Sequence, residues 1–272
     1  MDDMKFTDEE GTKADDITFD SILNELSETT SKNVVGYYEF KELTMKQQRK
    51  ILNGGYDNVE ISAKFSNIYN EFIAENVRLV NSPMSVAKEI TLDIKPFILN
   101  KLREVSLGNV YYDDETGKEY TLREVSEEDL LMRIGEEVIE FGNIKITLKV
   151  PNLEKDSKYN QLLCVALKPY KGKKSFTEAD AFPVMDMYQL YEIYKYISVV
   201  SFKGKEYDFD SVAMPDKQKM VNALHARIVN QITDYIRKVE DVKDVALKAT
   251  SSETGDVITP NLYTLFFAKT AN

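Results

Sequence analysis

The spacing of apolar residues along the first hundred positions predicts a short strand followed by three helices. Residues 34–40 are β-branched and aromatic, which is typical of a strand. Residues 45–52 end at an Asn-Gly-Gly sequence that suits a helix stop. Apolar side chains recur every three or four residues over 61–77, which predicts one buried face of a helix. A further helix is predicted from about Asp93, because Pro96 is tolerated in a first helical turn.

The middle of the chain and part of its last third have the turn residues and the short apolar runs of β-hairpins. Gly142 stands at the first turn position of one of them and favours a type II′ loop, since glycine readily takes the positive φ that this turn requires. Three hairpins are predicted, which pair residues 110–112 with 120–122, 138–141 with 144–150, and 199–202 with 206–209.

The last third is otherwise predicted to be helical and to close on a strand. Residues 185–197 indicate a buried helix rich in tyrosine, and residues 214–239 predict the longest helix, with Pro215 near its start. The run 262–267 is apolar and aromatic, and such a strand could pair with a neighbouring chain through its free edge. The predicted fold class is therefore α+β, mainly helical, with β-hairpins in the middle and C-terminal parts.

These elements divide the sequence into four consecutive parts. The first has almost no apolar periodicity over its first sixteen residues, so it is predicted to be partly disordered. The four parts are an acidic N-terminal arm (1–33), a helical N-terminal part (34–108), a β-hairpin middle (109–151) and a mainly helical C-terminal part with a terminal strand (152–272).

The negative charge of the chain is concentrated in that arm. The 272 residues have a formal net charge of −11, and the first twenty, with eight acids and two lysines, account for −6 of it. The acid excess argues against a general nucleic-acid binder, which would show a basic face. An acidic N-terminus and the lack of an apolar run near 18 residues predict neither a signal peptide nor a membrane helix. With one cysteine no internal disulfide is expected, which favours a reducing cytosol.

The sequence offers few residues for catalysis or for metal binding. His225 has no acid or histidine four residues away, and Cys164 is surrounded by hydrophobic residues. The acid run 113–115 lacks the spacing of a calcium loop, and the run 127–129 follows Ser126 as the first turn of a helix would. Glycine-rich phosphate-binding motifs are absent from the sequence. We therefore predict no catalytic, cofactor-binding or metal-binding residue and no enzymatic activity.

Four stretches carry a family resemblance through their order and spacing. They are residues 38–52 (YEFKELTMKQQRKIL), 93–108 (DIKPFILNKLREVSLG), 142–151 (GNIKITLKVP) and 193–236. They look like an aromatic strand with a Leu-Thr-x-Lys helix, an Asp-to-Gly helix with a Leu-Arg pair, a strand ending in proline, and a hairpin with a long helix. In this order they resemble the baseplate hub and assembly proteins of T-even-like contractile-tailed bacteriophages. The resemblance covers about residues 34–245 and leaves the acidic arm outside it.

The resemblance implies a structural or assembly (chaperone-like) protein of the baseplate hub that acts through protein–protein contacts. Its expected partners are other tail and baseplate proteins, including copies of itself, with no nucleic acid, membrane or cofactor. Its expected location is the virion tail baseplate, or the host cytoplasm during assembly. The predicted partner-binding residues are Phe40, Leu43, Lys46, Leu102, Arg103, Leu265 and Phe266.

Two other functions fit the composition. An acidic regulatory protein could mask a basic partner with its arm, and its complex would then be sensitive to salt and lost on deletion of residues 1–20. A metal-dependent hydrolase could use Asp113, Asp114, Glu127 and Glu128, and alanine at these positions would then abolish activity.

Overall fold

The computed structural model describes residues 33–52, 59–113, 116–171, 177–262 and 264–266. About 51% of the structure is helix and about 20% is strand, in three small antiparallel sheets, which confirms the predicted α+β class. Of the predicted acidic arm only Asn33 belongs to the described residues. The helices are α1 (Met45–Leu52), α2 (Ile61–Asn76), α3 (Val86–Glu89), α4 (Lys95–Leu107), α5 (Glu127–Leu131), α6 (Leu153–Ala166), α7 (Glu178–Tyr196), α8 (Met214–Asn222), α9 (Ala226–Glu240) and α10 (Val242–Ala246).

The strands form one three-stranded sheet and two four-stranded sheets. The first has the order β1 (Asn33–Val35), β2 (Tyr38–Phe40), β3 (Val77–Leu79). The second has the order β11 (Val257–Ile258), β10 (Ala249–Thr250), β5 (Lys118–Leu122), β4 (Val110–Asp113). The third has the order β6 (Glu137–Phe141), β7 (Ile144–Leu148), β8 (Ile197–Phe202), β9 (Lys205–Asp208). All three predicted hairpins are present, as the pairs β4–β5, β6–β7 and β8–β9.

Turn and cap residues explain where several elements begin. Gly142 has a φ of +59° and Asn143 does not have a positive φ, which is the pattern of the predicted type II′ turn. The β8–β9 turn has positive φ at both Lys203 and Gly204, as a type I′ turn requires. Ser126 forms a capping box with Asp129, so the acids that follow it start a helix as the sequence predicts.

Helix α6 contributes to both main cores among the described residues, through Leu153 in the first and Tyr159 in the second. The first is enclosed by α2, α4 and the two sheets that contain β1–β3 and β4–β5. The second lies between the β6–β9 sheet and helices α7 and α9. Strands β10 and β11 return to the sheet of β4 and β5, so the first core takes residues from both ends of the described chain. The cores therefore do not follow the four consecutive parts of the sequence.

The structure corrects four predicted elements. Residues 34–40, predicted as one strand, form the hairpin β1–β2 with a turn at Gly36 and Tyr37. The helix predicted over 185–197 begins earlier, at Glu178. The helix predicted over 214–239 is two helices, because the chain turns at Ala223 and α9 begins after His225, its N-cap residue. The predicted terminal strand is also wrong over its described part, where Leu262 and residues 264–266 are turns. Leu265 and Phe266 are buried in the first core, so this segment does not offer a free strand edge.

Candidate partner-binding surface and buried charge network

The structure places six of the seven predicted partner-binding residues inside the protein. Five of the six belong to the first core, and Arg103 lies directly beside it. Only Lys46 is exposed, on α1. The buried six are Phe40, Leu43, Leu102, Arg103, Leu265 and Phe266. These side chains serve this chain's own packing, so a surface for partners is to be sought elsewhere, and partner binding by Lys46 stays a prediction.

Arg103 connects two groups of predicted partner-binding residues that are distant in sequence. One group is Leu102 and Arg103 in α4, and the other is Leu265 and Phe266 near the C-terminus. The Nε of Arg103 donates to the carbonyl oxygen of Leu265 at 3.1 Å, and its Nη2 donates to that of Val110 at 2.5 Å. Its Nη1 donates to the carbonyl oxygen of Gly108. Phe266 then packs against the ring of Phe72 with the centroids 6.1 Å apart. One buried guanidinium thus fastens the C-terminal segment to the end of α4 and the start of β4.

Large apolar side chains are exposed at the start of α7. Phe182 is 74% exposed and Met185 is 67% exposed, and Phe182 is the most exposed of the large apolar side chains in the described residues. The two are three residues apart on one helix, so they are neighbours on its surface. The opposite face of the same helix is anchored, because Val184 and Tyr188 pack against α6 in a small third core. Helix α7 therefore presents a fixed apolar surface, which we call the α7 face (Phe182 and Met185).

The free edge of the third sheet has a different character. All four residues of β9 are exposed, and among the described residues this strand pairs with β8 alone. The ammonium groups of Lys203 and Lys205 lie over the rings of Phe202 and Tyr207, 5.3 and 5.0 Å from their centroids. Lysines on an edge strand oppose the addition of another strand. The α7 face is therefore the better candidate for an apolar interface.

A buried network of charges joins the four helices α2, α4, α6 and α7. The carboxylate of Asp156 in α6 lies 2.9 Å from the ammonium of Lys195 in α7 and 3.6 Å from that of Lys95 in α4. The hydroxyl of Ser66 and the amide of Asn70, both in α2, donate to the same carboxylate at 2.8 Å. Sequence reasoning missed this network, since none of its partners lies near Asp156 in sequence.

The protonation of the network follows from its geometry. Burial alone would raise the pKa of Asp156, but the charges of Lys195 and Lys95 outweigh it and hold that pKa well below its usual range. Burial would likewise lower the pKa of Lys195, and Asp156 and Glu192 together raise it above its ordinary value. Burial lowers the pKa of Lys95, although Asp156 opposes this shift.

Ser66 and Lys95 lie close enough to be considered as a nucleophile and its base. The ammonium of Lys95 is 2.9 Å from the hydroxyl oxygen of Ser66, and both residues line an open cleft. A lysine base must accept the serine proton. Here the serine hydroxyl donates to Asp156 and the lysine donates to the serine, and a carboxylate of such low pKa is a weak base. The arrangement therefore suits a structural cross-link between helices.

The remaining candidates for catalysis or metal binding are His225, Cys164 and the two acid runs, and their described residues do not form a common site. His225 is exposed at the start of α9, and burial raises the pKa of the Cys164 thiol, which makes it less reactive. Across the described residues, no three His, Cys, Asp or Glu side chains come together as a metal site would need. Of the run 113–115, only Asp113 is described.

No helix among the described residues is long and apolar enough to span a membrane.

No family model, curated protein or solved structure that was compared with the chain matches it.

Proposed function

We propose that this chain is a non-enzymatic structural or assembly (chaperone-like) protein of the baseplate hub of a contractile phage tail, acting through protein–protein contacts. The order of the four stretches between residues 38 and 236 is what points to this family. The α7 face is the observation that supports a binding function, because Phe182 and Met185 are exposed to solvent on a helix whose other side is packed.

Physical chemistry supports an interface at the α7 face. Scattered exposed apolar residues are normal on a protein surface, but an adjacent aromatic and methionine pair is typical of an interface core. An aromatic ring contributes a large contact area and loses little conformational freedom when a partner covers it. Because Val184 and Tyr188 already hold the helix, a partner would meet a preformed surface.

The function is tested by deleting the gene from the virus that encodes the chain and supplying variants in trans. We expect the deletion to leave tails without complete baseplates in electron micrographs, and the wild-type chain to restore them. Mass spectrometry of purified virions then separates a component that stays in the particle from a factor that acts only during assembly. A genome without tail genes, or complete tails in the deletion strain, would overturn the proposal.

The α7 face is tested by Phe182→Asp in the same assay, with Met84→Asp as the matched control. Both changes put a carboxylate in place of an exposed apolar side chain, and Met84 lies in the loop before α3 and not on α7. We expect Phe182→Asp to reduce the yield of complete tails at least tenfold and Met84→Asp to leave it unchanged. Equal thermal unfolding midpoints of the two variants show that folding is not the cause. Normal assembly with Phe182→Asp would exclude this face as the interface.

A further inference from the structure

A cleft rich in lysine opens where α6 begins. It has a volume of about 560 Å³, and four lysines and two acids line it together with uncharged residues. The lysines are Lys88, Lys149, Lys155 and Lys158, and the acids are Glu154 and Asp210. A local excess of positive charge stands out on a chain whose net charge is −11. We call this site the lysine cleft.

Hydrogen bonds fix the frame of the lysine cleft. The side-chain amide of Asn152, the N-cap residue of α6, donates to the carbonyl oxygen of Lys88 at 3.2 Å. The backbone N–H of Leu153 donates to the carbonyl oxygen of Ile90 at 3.0 Å, and that of Leu92 donates to Pro151 at 3.0 Å. The segment that carries Lys88 and the helix that carries Lys158 are thus held side by side.

Two of the four lysines are already neutralised and two are not. Lys149 pairs with Glu136 at 3.0 Å, and Lys155 pairs with Asp210 at 2.9 Å. The carboxylate of Asp210 also accepts from the hydroxyl of Tyr159 at 2.9 Å. Lys88 and Lys158 are exposed and have no salt-bridge partner within the part of the chain that the structure describes. The lysine cleft therefore offers two ammonium groups to an added anion.

The first twenty residues of the same chain have the complementary charge. They carry a net −6, with acids at positions 2, 3, 8, 9, 10, 15, 16 and 20. They are also within reach. Strand β1 begins at Asn33 and lies two strands from β3, which is roughly 10 Å, and α3 with Lys88 packs against β3. The thirteen residue-to-residue steps from position 20 to position 33 can span up to about 43 Å.

We propose that the lysine cleft is the docking site of this chain's own acidic N-terminal arm, residues 1–20, whose carboxylates contact Lys88 and Lys158. Such contacts are solvent-exposed and act at short range, so salt weakens them as the Debye length falls from about 10 Å at 0.1 M to about 3 Å at 1 M. The docking depends on the charge of the arm and of the cleft, and it does not depend on the α7 face.

Zero-length carbodiimide cross-linking of the full chain tests the contact directly. An equal mixture of unlabelled and ¹⁵N-labelled protein is cross-linked at low salt and at 1 M NaCl, and the peptides are identified by mass spectrometry. We expect links from the arm to Lys88 and Lys158 within one isotope, at least fivefold more abundant at low salt. Links as frequent to Lys203 and Lys205, or no links from the arm, overturn the proposal. Links mainly between the two isotopes overturn it in favour of the arm of a second copy.

Tryptic cleavage at Lys5 and Lys13 gives an independent readout. We expect K88E/K158E to increase the rate of cleavage in the arm at least fivefold. The matched control K203E/K205E makes the same change of charge in the β8–β9 hairpin and is expected to leave the rate unchanged. All four lysines are exposed, and circular dichroism melting checks that each variant is folded. Equal rates in the wild type and K88E/K158E, or equal acceleration by both variants, overturn the proposal.

Discussion

The Asp156 carboxylate and the Lys195 ammonium form an ion pair of 2.9 Å inside the protein, with side chains 1% and 5% exposed. The pair connects α6 to α7, and Ser66 and Lys95 bring α2 and α4 to the same site. A buried ion pair does not by itself stabilise a fold more than well-packed apolar residues would. Removal of one partner is costly, however, because an uncompensated charge remains in the interior.

Replacing Asp156 should therefore destabilise the protein strongly. We expect Asp156→Asn to lower the free energy of unfolding by about 3–5 kcal/mol, measured by urea denaturation, since two lysines lose their buried anion. The control Asp234→Asn removes an exposed pair with Arg237 (3.3 Å) and should cost about 1 kcal/mol or less. Equal losses in the two variants would contradict a special contribution of the network.

The same carboxylate predicts how stability depends on pH. The pKa of Asp156 is lowered in the folded state from its ordinary value of 3.8, because the charges of two lysines outweigh the effect of burial. The unfolded chain then binds the proton more readily. The stabilisation is fully present above about pH 4 and is lost as the pH falls toward the folded-state pKa. Between about pH 4 and pH 2 the unfolding free energy of the wild type should fall more steeply than that of Asp156→Asn, and parallel curves would contradict this.

Arg103 should control the attachment of the C-terminal segment. We expect Arg103→Ala to cost about 3 kcal/mol, because three carbonyl groups lose a buried donor. Hydrogen exchange should become faster in residues 249–266 and stay unchanged in β6–β9. The control Arg237→Ala removes an exposed arginine and should leave both regions as they are. Uniform acceleration in all sheets would instead indicate global destabilisation.

Substitution by alanine should affect stability differently at Gly142, in the turn between β6 and β7, and at Gly135. Gly142 has a φ of +59°, whereas Gly135 does not have a positive φ, and a Cβ at either position would meet nothing within 4 Å. Gly142→Ala should therefore cost about 1 kcal/mol through backbone strain alone. Gly135→Ala should be neutral or stabilise slightly, because it restricts the unfolded chain. Urea denaturation measures both, and equal effects would rule out the strain explanation.

The sequence predicted best those elements whose backbone conformation depends on residues close by in the chain. Helix α1 has the predicted bounds 45–52, and Pro96 lies in the first turn of α4 as expected. Gly142 predicted its hairpin because the φ angle of a turn is a local property. The break at Ala223 was missed because the apolar period continues across it, from Val221 to Ile228, and both side chains are buried.

Burial was harder to predict than secondary structure. An apolar motif such as Leu265-Phe266 fits an exposed strand edge as well as a core. Its burial depends on contacts with Arg103 and Phe72, which lie far away in the sequence. These residues are separated from it by more than 150 positions in sequence. The same is true of Asp156, whose partners lie between 39 and 90 residues away. No pattern of neighbours reveals such a contact.

The sequence by itself determined the α+β class, three of the hairpins, the starts of α1, α2 and α8, and the segregation of negative charge into the first twenty residues. All of these depend on hydrogen bonds, backbone angles or charges within a few positions. Only the tertiary structure decided that six predicted partner-binding residues are buried, that Phe182 and Met185 are exposed, and that Lys88 and Lys158 share a cleft. Those outcomes depend on which distant segments meet, because burial and electrostatic neighbourhood are properties of the packed chain.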